Sequence, residues 1–286
     1  MNILIFGGDL RQIAAAKYFR DAGHSVQVFA IKKSILEKYD AGDMFCEKPA
    51  LADVTVFPLP TSADGESINC PLSDETYDYF DTFRTLGAGA RVFVGMASDF
   101  EKKFFCELKL NVTDYFESDE IQTENAVPTA EGAIELFFKN QPITLMDSNA
   151  VVIGYGRIGA ALAKRLRLLG ANVAVSARSE KDLALAHTDG ATGIPLQRFI
   201  KEPGHPDCIF NTVPARIFDK DFALRTAGTL FIDLASKPFG VTEDAVAAMG
   251  EKYIRGSSLP GKTAPVTAGR IIAKSILKHL ESEDKI

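Results

Sequence analysis

The sequence predicts an α/β protein built as two doubly wound parallel-sheet domains separated by a cleft. Three observations predict it. Short apolar runs alternate with helical stretches along the 286 residues, a pattern that calls for parallel sheets with helices on both faces. A strand, a glycine turn and a helix open the chain at "ILIFGGDLRQ", and a near-copy, "VVIGYGRIG", begins again at Val151. A chain of this length also has room for two modest domains, each with its own core.

The elements follow in order. Ile3 to Phe6 is a short apolar run ending in Gly7-Gly8. A helical stretch runs from there to Ala22, Gly23 closes it, and "SVQVF" (Ser25 to Phe29) alternates like the next strand. Further strands are expected in Val54–Pro60, Arg91–Ala97 and Leu110–Phe116. Pro128 to Asn140 reads as a helix with Pro128 in its first turn; its apolar stripe is Ala130, Ala133, Ile134, Phe137 and Phe138. "KNQPITLMDSN" is a polar joint. A second series begins at Ala150: strand 150–153, helix 157–169, then strands 172–176, 208–213, 229–234 and 252–256. A helix from Thr267 to Leu280 ends it, with the stripe Ala273, Ile276, Leu277 and Leu280. The domains expected are 1–127 with 267–286, a connecting helix and joint at 128–145, and 146–266.

Hydrophobic residues make up 46% and charged residues 24%, and the formal net charge is -6. That balance gives no electrostatic footprint for a nucleic-acid partner. The four cysteines (Cys46, Cys70, Cys106, Cys208) and four histidines are scattered without ligand spacing, so no metal is expected. No apolar run approaches the roughly 20 residues that span a bilayer, and a cytoplasmic location is the expectation.

Gly154-x-Gly156-x-x-Gly159 follows a strand and opens a helix, the context that the dinucleotide fingerprint of a Rossmann fold demands. Gly154 allows the tight turn, Gly156 the approach of the pyrophosphate, and Gly159 close packing of helix on strand. Tyr155, Arg157 and Ile158 complete this cofactor turn. The next strand ends Ser176-Ala177-Arg178-Ser179. An NAD site would place an acid there for the ribose 2′-OH; Arg178, Ser176 and Ser179 instead suit a 2′-phosphate. NADP is therefore preferred, with NAD the alternative if Arg178 only faces solvent. "NTVPA" leaves a strand at its C-terminal end, where Thr212, Val213 and Pro214 would border the nicotinamide ribose. "IDLASKPFG" (Ile232 to Gly240) does the same one strand later.

The opening near-copy departs from this fingerprint. Gly7 is kept, but Asp9 and Gln12 fall where the second and third glycines belong, and a carboxylate there would repel a pyrophosphate. The first domain is therefore expected to carry substrate. Polar residues gather at its strand ends: Asp9, Arg11, Gln12; Thr61, Ser62, Asp64; Ser98; and Glu120 to Asn125. Arg11 beside a helix N-terminus would clamp a carboxylate; alternatively Asp9 caps the helix and Arg11 is solvated. Late in the chain, "GSSLPGKTAPVTAGR" holds Lys262 and Thr263 before the last helix. It lacks the earlier glycine of a P-loop. Its expected role is a loop whose N–H groups and lysine receive an anionic substrate group.

Taken together, "GGDLRQ", "GYGRIG" and "SLPGKTAPVTAG" resemble the A subunit of dipicolinate synthase, in motif order along essentially the whole chain. The resemblance implies an architecture similar to alanine and 2-hydroxyacid dehydrogenases. It implies NAD(P)-linked oxidation of a dihydrodipicolinate-type ring to dipicolinate, in the mother-cell cytoplasm of a spore-forming bacterium. It also implies the flavoprotein-like B subunit of that synthase for a partner, a small dicarboxylate substrate and, by analogy, a homodimer. Arg11 and Lys262 would then hold the carboxylates, with Ser62 and Thr263 as supporting donors. Asp9 and Glu124 are both candidates for a general base. The alternatives are a dehydrogenase of an acyclic amino or hydroxy acid on the same plan, and a non-catalytic NADP-binding regulatory subunit.

Overall fold

The computed structural model describes residues 1–283. The chain forms two compact units, Met1–Glu124 with the segment from Ala264 onward, and Asn125–Thr263.

In the first unit the order is β1 (Asn2–Phe6), α1 (Leu10–Asp21), β2 (Ser25–Phe29), α2 (Lys33–Lys38), β3 (Val54–Val56), α3 (Tyr79–Arg84), β4 (Arg91–Val94), α4 (Asp99–Glu107) and β5 (Asn111–Asp114). The five strands lie in the order β2-β1-β3-β4-β5, all parallel. Ile3, Leu4, Ile5 and Phe6 are all buried, because helices cover both faces of the sheet; β1 therefore reads as a continuous apolar run. One face packs Ile5, Ala16 and Phe19 with residues of the last helix. The other is aromatic, with Phe6 stacked on Phe57 and Phe83 against Tyr79 and Phe105. The chain winds in opposite senses on the two sides of the β1–β3 boundary, the switch point of such a sheet.

The link out of this unit is α5 (Asp119–Asn140). It begins nine residues before the helix start expected at Pro128, which lies inside the helix rather than in its first turn. Pro128 can donate no hydrogen bond to the Glu124 carbonyl one turn back, and the division between the units falls between Glu124 and Asn125. Packing holds the helix on both sides of this gap. Ile121 is buried in the core of the first unit; Ala130, Ala133, Ile134 and Phe137, with Leu145, belong to that of the second. The segment 128–145, expected as a connecting helix and joint, thus contributes Ala130, Ala133, Ile134, Phe137 and Leu145 to a core.

The second unit continues with β6 (Asn149–Ile153), α6 (Arg157–Leu168), β7 (Asn172–Ala177), α7 (Glu180–Thr188), β8 (Thr192–Pro195), α8 (Leu196–Lys201), β9 (Cys208–Asn211), α9 (Lys220–Arg225), β10 (Leu230–Asp233), α10 (Glu243–Met249), β11 (Tyr253–Arg255) and α11 (Leu259–Thr263). The six parallel strands lie in the order β11-β10-β9-β6-β7-β8, the 3-2-1-4-5-6 arrangement of dinucleotide-binding sheets. Ser176, Ile153, Asn211, Asp233 and Arg255 stand in register across five adjacent strands, forming one row at the carboxyl edge. The strand β8 and the helices from α7 to α10 were not singled out by the sequence pattern.

The last helix, α12 (Pro265–Glu283), is longer than the expected 267–280 and packs in the first unit. Ala273, Ile276 and Leu280 are buried there and Leu277 packs against them. A β-carbon on Gly269 would lie 2.2 Å from the Arg11 carbonyl oxygen, so glycine is what lets α12 approach α1. Several strands are shorter than the apolar runs suggested. β3 ends at Val56 rather than Pro60, since Pro58 and Pro60 cannot donate to a ladder.

Candidate functional site

The turn after β6 is built for a ligand that approaches the backbone. Gly154 has φ +88, a conformation L side chains rarely adopt, and its N–H donates to the Ser176 carbonyl at 2.8 Å. A β-carbon there would meet Thr212 Oγ1 at 2.7 Å and Val213 Cγ2 at 2.9 Å. Thr212 Oγ1 is itself fixed by donating to the Ile153 carbonyl at 2.8 Å. A β-carbon on Gly159 would lie 2.2 Å from the Gly154 carbonyl oxygen, whereas one on Gly156 would meet nothing within 4 Å. The space above Gly156 is thus open, and α6 begins there without a side-chain cap or an acidic residue in its first turn. Such a terminus offers backbone N–H groups and a positive dipole end to an anion. These features fit a dinucleotide pyrophosphate. Tyr155 contributes backbone only: its hydroxyl donates to Asp189 Oδ2 at 2.6 Å, and burial with that carboxylate pushes its pKa up to about 12. Arg157 is exposed, and Ile158 packs against the core.

The matching turn of the first unit is filled by its own side chains. A β-carbon on Gly7 would lie 2.2 Å from Cys70 Sγ, and one on Gly8 would lie 2.5 Å from Gln12 Oε1. Gly8 N–H donates to the Asn69 carbonyl at 3.0 Å, and Asp9 caps α1 by accepting from Arg11 N at 2.9 Å. Gln12 is 1% exposed and neither end of its amide has a partner. Nothing here leaves space for a pyrophosphate.

Three residues expected to contact substrate already have partners within the chain. Arg11 is 4% exposed; its Nε and Nη2 donate to the two oxygens of Asp9 at 2.9 and 2.8 Å, and Nη2 also reaches the Leu59 carbonyl. It is neither a free clamp nor solvated, but the buried half of a bidentate pair whose carboxylate is part-buried. Asp9 has both carboxylate oxygens engaged by that guanidinium. Ser62 has one hydroxyl proton, and Asp64 Oδ1 accepts it at 3.0 Å. Four donors, Ser67 N–H first, hold the Asp64 carboxyl far below its ordinary range. Thr263 likewise donates to Glu135 Oε2 at 2.6 Å. The loop expected around Lys262 is a helical turn, in which Gly261 and Lys262 N–H groups donate to the Ser258 carbonyl. Lys262 itself is exposed, and it lies in a different unit from Arg11.

The expected 2′-phosphate residues also separate. Ser176 is fully buried in β7 with no partner for Oγ, so it does not face a ligand. Ser179 caps α7 by accepting from Asp182 N at 3.3 Å. Arg178 is exposed at the strand end.

The sequence reading missed the buried carboxylate that organises the neighbouring strand ends. Asp233 is fully buried and accepts from Asn211 Nδ2 at 2.8 Å, Gly240 N at 2.9 Å, Tyr253 Oη at 3.1 Å and Ala235 N at 3.2 Å. Asn211 Oδ1 in turn accepts from Val213 N at 3.1 Å. One carboxylate therefore shapes both the Thr212–Pro214 turn and the loop after β10. The signal was an acid closing the apolar run "LFID", at the end of the strand expected at 229–234. Among the described residues no cluster of three or more His, Cys, Asp or Glu could hold a metal, and no helix is long and apolar enough to cross a membrane.

An open dinucleotide turn on a sheet of this order, in a chain with a second doubly wound unit, defines a nicotinamide-dependent dehydrogenase of two domains. Residues 122–259 match the NAD binding domain of D-isomer specific 2-hydroxyacid dehydrogenases, and residues 2–116 match the N-terminal domain of the dipicolinate synthase A subunit. Over nearly its whole length the chain is similar to the dipicolinate synthase A subunit. It is 28% identical to the dipicolinate synthase A subunit of Bacillus subtilis (strain 168), over 98% of this chain and 96% of that protein. The crystal structure of the dipicolinate synthase A chain from Bacillus subtilis superposes with a TM-score of 0.82 at 27% identity, covering 99% of this chain and 96% of that one. The crystal structure of the dipicolinate synthase A subunit from Bacillus halodurans shares the fold, with a TM-score of 0.85 at 24% identity over 98% and 97% of the two chains.

Proposed function

We propose that the chain oxidises a dihydrodipicolinate-type cyclic dicarboxylate to dipicolinate with NAD(P)+, NADP+ preferred. In this reading it works in the cytoplasm of a sporulating mother cell, as a homodimer, with the flavoprotein-like B subunit of dipicolinate synthase. The observation that carries the reading is the match of residues 2–116 to the N-terminal domain of the dipicolinate synthase A subunit, in one chain with a dinucleotide turn of open geometry.

The nicotinamide, when bound, supplies the hydride acceptor. The chain's own residues do the rest. Gly154 to Gly159 and the start of α6 receive the pyrophosphate, and exposed Arg178 pairs with a 2′-phosphate. Asn211 and Asp233 hold the Thr212–Pro214 turn in place beside the reacting end. Lys262, exposed on α11, offers a cation to one substrate carboxylate. One ring C–H leaves as hydride to the nicotinamide and a second ring hydrogen leaves as a proton to water. The ring becomes aromatic, so the demand on the protein is chiefly positional.

The test is an ultraviolet assay for dipicolinate, run with each cofactor, with and without the B subunit. Dipicolinate formed faster with NADP+ is the expected result. Failure to form it in every arm would overturn the proposal.

A further inference from the structure

We infer that Arg255, held by the ring of Phe239, is a carboxylate anchor that makes the nucleotide-binding unit select a dicarboxylate over a monocarboxylate. The inference rests on the proposed function and adds a recognition residue to it. Arg255 closes β11 at the end of the row Ser176, Ile153, Asn211, Asp233 and Arg255. At the usual strand spacing it stands about 10 Å beyond the Asn211 backbone, past the turn proposed to border the nicotinamide.

Two features hold its guanidinium ready. Its carbon lies 4.0 Å from the centroid of the Phe239 ring. Phe239 itself has φ +67, a left-handed backbone that a bulky side chain adopts only when its surroundings impose it. They do so here. Asp233 accepts from Ala235 N and Gly240 N, pinning both ends of the loop, and a β-carbon on Gly240 would lie 2.1 Å from Asn211 Nδ2. A solvated arginine needs no such support. Stacking covers one face of the exposed guanidinium and leaves its N–H edge for a planar carboxylate.

The test titrates pyridine-2,6-dicarboxylate and pyridine-2-carboxylate into the full chain by calorimetry, with NADP+ present. The wild-type protein should bind the dicarboxylate at least tenfold more tightly. Arg255→Gln should lower that affinity at least tenfold while affinities for the monocarboxylate and NADP+ stay within twofold. Phe239→Gly, with its fold checked by circular dichroism, should lose part of the same discrimination. Arg255→Gln that keeps the preference, or weakens both acids equally, overturns the anchor alone. Wild-type protein that binds neither acid overturns the proposed function and the anchor together.

Discussion

Gly159 packs so closely under Gly154 that a β-carbon on it would lie 2.2 Å from the Gly154 carbonyl oxygen, while Gly156, three residues earlier, faces open space. The two glycines of one motif therefore have separable roles. Gly159→Ala should force α6 from β6 and cost about 2 kcal/mol of stability, along with cofactor binding. Gly156→Val should change stability by about 1 kcal/mol or less yet lower cofactor affinity at least tenfold. Urea unfolding and nucleotide titration on both variants check the contrast, and equal destabilisation would contradict it.

Arg11 is enclosed and paired to Asp9. Arg11→Met should leave the part-buried Asp9 carboxylate only its backbone N–H donor and take the guanidinium from the Leu59 carbonyl, and should destabilise the first unit by roughly 2 kcal/mol. A solvent-facing substrate clamp would show an unchanged unfolding midpoint instead, with only KM affected.

Arg178 is exposed at the end of β7, and Ser176 to Ser179 include no acid. Arg178→Ala should weaken NADP+ at least tenfold and NAD+ by less than twofold, read by fluorescence titration. Equal losses would remove the 2′-phosphate role.

Thiol chemistry should follow burial. Cys106 is exposed, and Cys70, whose sulfur fills the turn at Gly7, is pushed up to about 11 by burial. The thiolate is the nucleophile, so at pH 8 roughly one Cys70 in a thousand is reactive. Timed alkylation followed by peptide mass spectrometry should label Cys106 first, and Cys70 should accelerate steeply as pH rises toward 10. Burial also raises Cys208 well above its ordinary value, so labelling there should await unfolding.

The motifs were legible where chemistry depends on backbone shape. Three glycines between a strand and a helix describe a turn with little freedom to be anything else. Pro128 misled because a proline inside a helix and one in its first turn look alike in sequence; packing of Ile121 and Phe137 on either side decided between them. Arg11 misled for a related reason. An arginine beside a helix start suits either a ligand carboxylate or a local one, and only the position of Asp9 against it shows which.

What the amino-acid order determined by itself was local: the alternation of elements, the dinucleotide turn after Ile153, and the absence of an acid beside Arg178. Those follow from backbone sterics and from charges a few residues apart. What only the tertiary structure decided was which polar groups meet across strands: Asp233 reaching Gly240 and Tyr253, Cys70 closing the turn at Gly7, and Arg255 lying on Phe239. Each of those pairings joins residues brought together by strand register and burial, and a hydrogen bond or a ring stack exists only once that register is set.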